Sequence, residues 1–235
     1  MPLWLSGGKT ILFMHIPKTG GSALQSYLER RLGKPLFAFT GKVKAGGTGL
    51  IHEPVHFTAE DIGCCVDIDT IDYAFAIVRE PVQRLMGEYR YQTNISRASR
   101  MSFSTWAHLM IETARREPRI YNNHLRPQVD FIPERADAFR LEEGFDPLIE
   151  KLDAVLGAPG PKQRVPIINV SPKIPISVSQ QVVDLVANFY AEDYEKFSYP
   201  RPVNEPGGAR SLSRMAAAKA LAPALVAWQR HSWTR

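Results

Sequence analysis

Residues 10–28, TILFMHIPKTGGSALQSYL, set a short apolar run, a lysine, two glycines and a hydroxyl directly before a helical pattern. The run 10–16 has no polar alternation, which suits a parallel strand buried on both faces, and Pro17 ends it. Beyond it Leu24, Tyr27, Leu28 and Leu32 recur at helical spacing, with Gly33 placed as a C-cap. A helix N-terminus offers unpaired N–H groups and the positive end of its dipole, so an anion there is stabilised. Gly20 and Gly21 let the backbone approach closely, Thr19 and Ser22 add hydroxyl donors, and Lys18 adds a full charge. A strand–loop–helix unit of this kind suits an α/β fold with an anion at the loop, although the bare pattern also fits a tight turn.

The order K-T-G-G-S reverses that of the Walker A loop, G-x-x-x-x-G-K-[ST], and no Walker A pattern occurs elsewhere. An ordinary P-loop ATPase is therefore disfavoured. A second buried strand is expected over 73–78, YAFAIV, followed by Arg79 and by Pro81 in the first turn of a helix. Val82, Leu85, Met86 and Tyr89 share one face of that helix. Arginine at a strand end is suited to bidentate recognition of phosphate. Further helices are expected over 103–116, over 147–156 with Asp146 as N-cap and Gly157 after it, and over 180–190; 166–170 reads as another strand. Strands alternating with helices predict three layers, a central parallel sheet flanked by helices, with ligands at the carboxyl ends of the strands. Lys18 and Arg79 both fall there.

With 235 residues and 44% hydrophobic content, the chain can bury one substantial core plus an appendage. Lys and Arg number 29 against 24 Asp and Glu, and this excess suits an anionic ligand. It is not clustered, so nucleic acid is not expected as a partner. Cys64 and Cys65 are adjacent and cannot build a disulfide framework, which points to a reducing compartment. No run approaches the ~20 apolar residues of a membrane span, and a cytoplasmic protein is expected. Composition shifts at 197–208, FSYPRPVNEPGG. This divides the chain into a domain over 1–200 and a linker with a C-terminal helical appendage over 201–235. The appended helix, read over 211–230, packs back on the domain or supplies a homodimer contact.

Taken together, HIPKTGGS (15–22) and VREPVQRLMGEYRY (78–91) resemble the two signatures of sulfotransferases that use 3′-phosphoadenosine 5′-phosphosulfate (PAPS). The group in question includes the heparan sulfate 2-O-sulfotransferases and their bacterial relatives. HFTAEDI (56–62), NHLRPQVDFI (123–132), FRLEEGFDPL (139–148), INVSP (168–172) and the stretch 189–197 look similar in the same order, so the resemblance spans roughly residues 8–200. It implies a P-loop-like fold and a sulfuryl transfer from PAPS to a hydroxyl of a carbohydrate or other small acceptor, leaving PAP. Lys18, Thr19, Gly20, Gly21 and Ser22 would then bind the 5′-phosphosulfate, with Lys18 also stabilising the leaving phosphate, and Arg79 would bind the 3′-phosphate. Ser171 would be a further cofactor contact. Gly87 stands where the family carries a serine that also holds the 3′-phosphate, so a hydrogen bond worth ~0.5–1.5 kcal/mol, or up to ~3 to a charged group, is missing.

The acceptor hydroxyl needs a base near neutral pH, for which histidine is suited. His15, inside the first strand, reads as a core residue and His231 as a surface one. His56 matches the family's base-bearing segment, with His124 second and His52 third. No metal-ligand spacing appears, and none is implied. Two alternatives stand: a module that binds PAP or another nucleotide without catalysis, and a nucleotide-dependent phosphotransferase. The latter would call for a Walker lysine and a magnesium carboxylate, neither of which is evident.

Overall fold

The tandem Gly7–Gly8 joins two short apolar runs, and both glycines take positive φ (57° and 73°). This two-residue turn matches the twist of a hairpin. In the computed structural model it connects β1 (Leu3–Ser6) to β2 (Lys9–Met14) as an antiparallel pair with Ser6 opposite Lys9. The structure describes residues 1–38, 53–95, 101–160, 165–166, 175–202 and 212–233. The chain forms two units. One comprises Met1–Lys44, His52–Arg79 and Gln128–Val170, and the other Ala45–Ile51, Glu80–Pro127 and Ser171–Arg235.

The first unit holds a four-stranded sheet in the order β1-β2-β3-β4, with β3 at Tyr73–Val78 and β4 at Asp137–Arg140. β2, β3 and β4 run parallel to one another. The sheet expected to be parallel is thus mixed, because the hairpin adds β1 in the antiparallel sense. Ile11, Phe13, Tyr73, Phe75 and Ile77 point to one face and form a core with Trp4. Helix α1 (Gly21–Leu32) contributes Leu24, Tyr27 and Leu28 to that core. Leu148 and Leu152 come from α5 (Asp146–Leu156). The alternate residues Leu12, Met14, Ala74, Ala76 and Val78 are buried as well. Burial on both faces explains why these strands read as unbroken apolar runs. The short α2 (Ala59–Gly63) also belongs to this unit.

Helix α1 ends on Gly33 at φ 83°, as its sequence predicts, and the Trp4 indole donates to the Gly33 carbonyl at 3.0 Å. Helix α5 begins one residue before expectation: Asp146 lies inside the first turn and Phe145 precedes it with no side-chain cap. Of the strand expected over 166–170, only Pro166 lies within the described residues, and it is not in a strand. β4 was not anticipated. It is a short strand with charged ends, and none of its residues is fully buried, so it lacks a strong apolar signal.

The second unit is helical among its described residues: α3 (Pro81–Arg90), α4 (Phe103–Arg116), α6 (Gln180–Phe189), α7 (Ala191–Lys196) and α8 (Leu212–Trp233). The C-terminal helix packs along α4, leaving a shallow apolar groove beside Met101, Leu109, Ala217 and Leu221. Among the described residues no helix is long and apolar enough to cross a membrane.

Near its end, α8 is tied down by Arg230, whose Nε and Nη2 donate to the buried Glu117 carboxylate at 3.1 and 2.7 Å; Arg119 Nε donates to the same group at 3.1 Å. Burial pushes the Glu117 carboxyl up, but the hydrogen bonds from Arg230 and Arg119 outweigh it and hold the group below its ordinary value of 4.5. A carboxylate with a lowered folded value stabilises the native state above its unfolded value, and that stabilisation is lost as pH falls through the folded one. Glu117→Gln should therefore melt below the unsubstituted protein at pH 7. The gap should begin to narrow below pH 4.5 and vanish in stronger acid. Melting curves over pH 3–8 check this, and a gap of constant size would contradict it.

Candidate active site

The apolar run of β2 stops at Met14, and the chain then passes through buried His15, Ile16 and Pro17 to Lys18. Lys18 takes φ 65°, a left-handed conformation that is uncommon for a residue with a side chain. Strain of this kind, of order 1–3 kcal/mol, persists only where the surroundings impose it. Thr19 is fully buried, and its hydroxyl donates to the Ile16 carbonyl at 3.0 Å, closing the loop on itself. Gly20 follows at φ 83° as the N-cap of α1 with no side-chain cap, and exposed Ser22 lies in the first turn. The first N–H groups of α1 therefore open toward the loop without a capping side chain.

A side chain at either glycine of the loop would be crowded. A Cβ at Gly20 would meet Leu141 Cδ1 at 3.1 Å in a backbone conformation that disfavours it. A Cβ at Gly21 would fall 2.1 Å from His15 Cδ2 and 2.2 Å from Nε2, far inside van der Waals contact with that edge of the imidazole. That ring stacks on Phe13 (centroids 5.4 Å apart) and meets the His56 ring edge-on at 5.2 Å. His15 thus belongs to the wall of the loop as well as to the core.

Because β2 and β3 pair in parallel, with Met14 beside Ala76, both strands end at the same edge of the sheet. Arg79 is the first residue beyond β3, and its Nη1 donates to the Lys18 carbonyl at 3.3 Å. The Arg79 backbone is held from the other side by Gln128, which is fully buried. Gln128 Oε1 accepts from the Arg79 N–H and its Nε2 donates to the Arg79 carbonyl, each at 2.9 Å.

His56 closes a single 3₁₀ turn, Pro54–His56, and is buried. The adjoining HFTAED stretch has a clear local purpose. Thr58 and Asp61 form a reciprocal capping box at the start of α2, so the chain is rigid immediately after His56. His56 Nδ1 lies 2.9 Å from the His15 carbonyl. A carbonyl only accepts, so Nδ1 carries the proton, and in the neutral ring Nε2 is the basic nitrogen.

His124 lies in the second unit and is held differently. Its Nδ1 is 2.7 Å from Glu88 Oε2, and Gln92 Nε2 donates to Glu88 Oε1 at 2.7 Å. Glu88 is buried, one residue after Gly87 on α3. Tyr121, Asn122 and Asn123, immediately before His124, all have positive φ (50°, 59° and 64°). A run of three left-handed residues without glycine is costly. It is braced by Gln229 Oε1, which accepts the Tyr121 N–H at 3.1 Å, and by Arg84 Nη2 on the His124 carbonyl at 3.1 Å. Burial, with the Glu88 charge second, pushes the Tyr121 phenol up, so it stays neutral.

Lys18, Thr19, Gly20, Gly21, Ser22, Arg79 and His56 all belong to the first unit; Gly87 and His124 belong to the second. Ser171 and His52 lie outside the described residues. Sequence reading missed Gln128 and Glu88. Glu88 did carry a signal, a carboxylate on the buried side of an amphipathic helix. Gln128 carried none, since a neutral amide after proline reads as an ordinary loop residue.

Residues 1–200 match the model of the Sulfotransferase family. The chain belongs to the sulfotransferase family. No curated protein and no solved structure matches it. The family match contains the Lys18 loop, the β3–Arg79 junction, His56 and His124, whereas α8 lies beyond it. Sulfuryl transfer in general is the chemistry of this family, and the α/β sheet with flanking helices suits the family's P-loop-like fold.

Gly21→Ala should cost about 1–3 kcal/mol of stability, because the added methyl overpacks against the His15 ring. In a His15→Ala background the cost should largely disappear. Urea unfolding of the four proteins tests this; an equal cost in both backgrounds would mean that something other than the ring excludes the methyl.

Proposed function

We propose that the chain transfers a sulfuryl group from PAPS to a hydroxyl of a carbohydrate or other small acceptor. The observation that carries this reading is the bond from Arg79 to the Lys18 carbonyl, which joins the two signature segments at one sheet edge inside the family-matched residues. The loop also has the character a nucleotide phosphosulfate needs: a cation, helix N–H groups and two positions where a side chain would intrude.

PAPS supplies an activated sulfuryl group, whose S–O bond to the 5′-phosphate breaks as the acceptor oxygen bonds to sulfur. Lys18 and the N–H groups of residues 19–22 stabilise the charge that gathers on the departing 5′-phosphate oxygen. Thr19 contributes through the loop's shape, since its hydroxyl is engaged by Ile16. Arg79 holds the 3′-phosphate and so favours this nucleotide over those without one. Gly87 adds no hydroxyl there, leaving Arg79 a larger share of the binding, and Ser171 is assigned as a further donor. His56 Nε2 accepts the proton of the acceptor hydroxyl, with Nδ1 anchored on the His15 carbonyl. One observation favours a second assignment of the base: the buried Glu88 carboxylate holds His124 at Nδ1, which leaves Nε2 as the nitrogen that can take a proton. The adjacent thiols of Cys64 and Cys65, both exposed and free, support a reducing, cytoplasmic setting. Residues 1–200 would form the catalytic part and 201–235 an appended linker and helix.

Thermal unfolding with PAP, adenosine 5′-monophosphate (AMP) or ATP–Mg²⁺ tests the donor assignment. A ligand at ~100 times its dissociation constant adds about 2.7 kcal/mol, or roughly 5–10 °C for a chain of this size. A rise with PAP that Arg79→Ala abolishes is expected; a rise with ATP–Mg²⁺ alone would favour phosphotransfer instead. Lys18→Ala should lower kcat by about 10²–10³. Of His56→Ala and His124→Ala, the variant that removes the low-pH limb from the kcat–pH profile, where the base is lost by protonation, identifies the base. If both retain it, neither His56 nor His124 is the base, and His52→Ala is tested next.

A further inference from the structure

Gln128 has no solvent exposure and directs both polar atoms of its amide to the backbone of one residue, Arg79. The β3–β4 ladder ends at the pair Val78–Arg140, so the Arg79 N–H and carbonyl lie one residue past it. A side-chain amide has the donor and acceptor of a peptide group, and here it replaces the strand partner that the ladder no longer supplies. The backbone at the root of the Arg79 side chain is thereby fixed at two points. The guanidinium end is fixed at a third, the Lys18 carbonyl.

The residue type matters as much as the position. A carboxylate at 128 could accept the Arg79 N–H but could not donate to its carbonyl. It would also set a buried negative charge beside the arginine and compete with any anionic ligand. A neutral amide holds the backbone and leaves the charge of the guanidinium for the anion.

We propose that Gln128 is a positioning residue that sets selectivity for a nucleotide bearing a 3′-phosphate, acting through Arg79. This rests on the assignment of Arg79 to that phosphate. Two backbone hydrogen bonds of ordinary strength correspond to about a tenfold effect on affinity when the ordered side chain is released.

The test is calorimetric titration with PAP and with AMP, which differ by the 3′-phosphate alone. Gln128→Leu should weaken PAP about tenfold and AMP less than about twofold, and Gln128→Glu should weaken PAP more than Gln128→Leu does. In an Arg79→Ala background, Gln128→Leu should change PAP affinity less than about twofold. Equal losses for PAP and AMP would reduce Gln128 to a structural role and overturn the proposal. So would a full tenfold loss in the Arg79→Ala background. An Arg79→Ala protein that still prefers PAP over AMP as strongly would instead overturn the 3′-phosphate assignment, and this inference with it. Should Gln128→Leu melt below the titration temperature, the near-isosteric Gln128→Glu carries the same comparison.

Discussion

Parallel strands need a covered crossover between them, and the pairing of Ile11–Met14 with Tyr73–Ala76 is where that requirement brings the chemistry together. The pairing ends both strands at one edge, so the residues beyond each strand are delivered to the same place. Beyond β2 stand a strained lysine, a buried threonine and two glycines; beyond β3 stands an arginine. Phe13 stacking on Phe75 at 5.3 Å, with α1 and α5 over them, holds the register in which this happens. A shift of one residue would turn both apolar sets to the wrong face. Core packing and loop geometry are in this sense a single constraint, and His15 makes the link physical: it stacks on the core at Phe13 and excludes a side chain from Gly21.

The two histidines of interest are both fixed at Nδ1, by groups of different character. A backbone carbonyl, which only accepts, holds His56 in one tautomer. A buried carboxylate holds His124 in the same tautomer. The demands of the second arrangement are visible around it: Glu88 needs Gln92 as well, and the turn before His124 runs through three left-handed residues braced from α8 and Arg84. A buried carboxylate is tolerated when its oxygens are engaged, and those of Glu88 meet His124 and Gln92.

Much of this was legible because it is local. The apolar run before Pro17, the helical spacing after Gly21, YAFAIV, Pro81 at a helix start and the helix over 103–116 each depend on residues close in the chain. Elements with weak local signals were missed. β1 is four residues long and betrayed only by the Gly7–Gly8 turn; β4 is partly exposed along its length; α2 and α7 span little more than one turn each. The hairpin also changed the sheet from parallel to mixed, a distinction that apolar runs alone do not carry.

By itself the sequence determined the strand–loop–helix unit, the glycines and lysine of the loop, and the arginine after the second strand, since each arises from steric and dipolar rules acting over a few residues. It also carried the family, through two short segments whose order and spacing are specific. Only the tertiary structure decided who holds these groups in place. Arg79 is gripped by a glutamine 49 positions away, His56 by a carbonyl 41 positions away, and His124 by a carboxylate 36 positions away. A hydrogen bond depends on separation in space, and the strand pairing and helix packing that set those separations are properties of the whole fold.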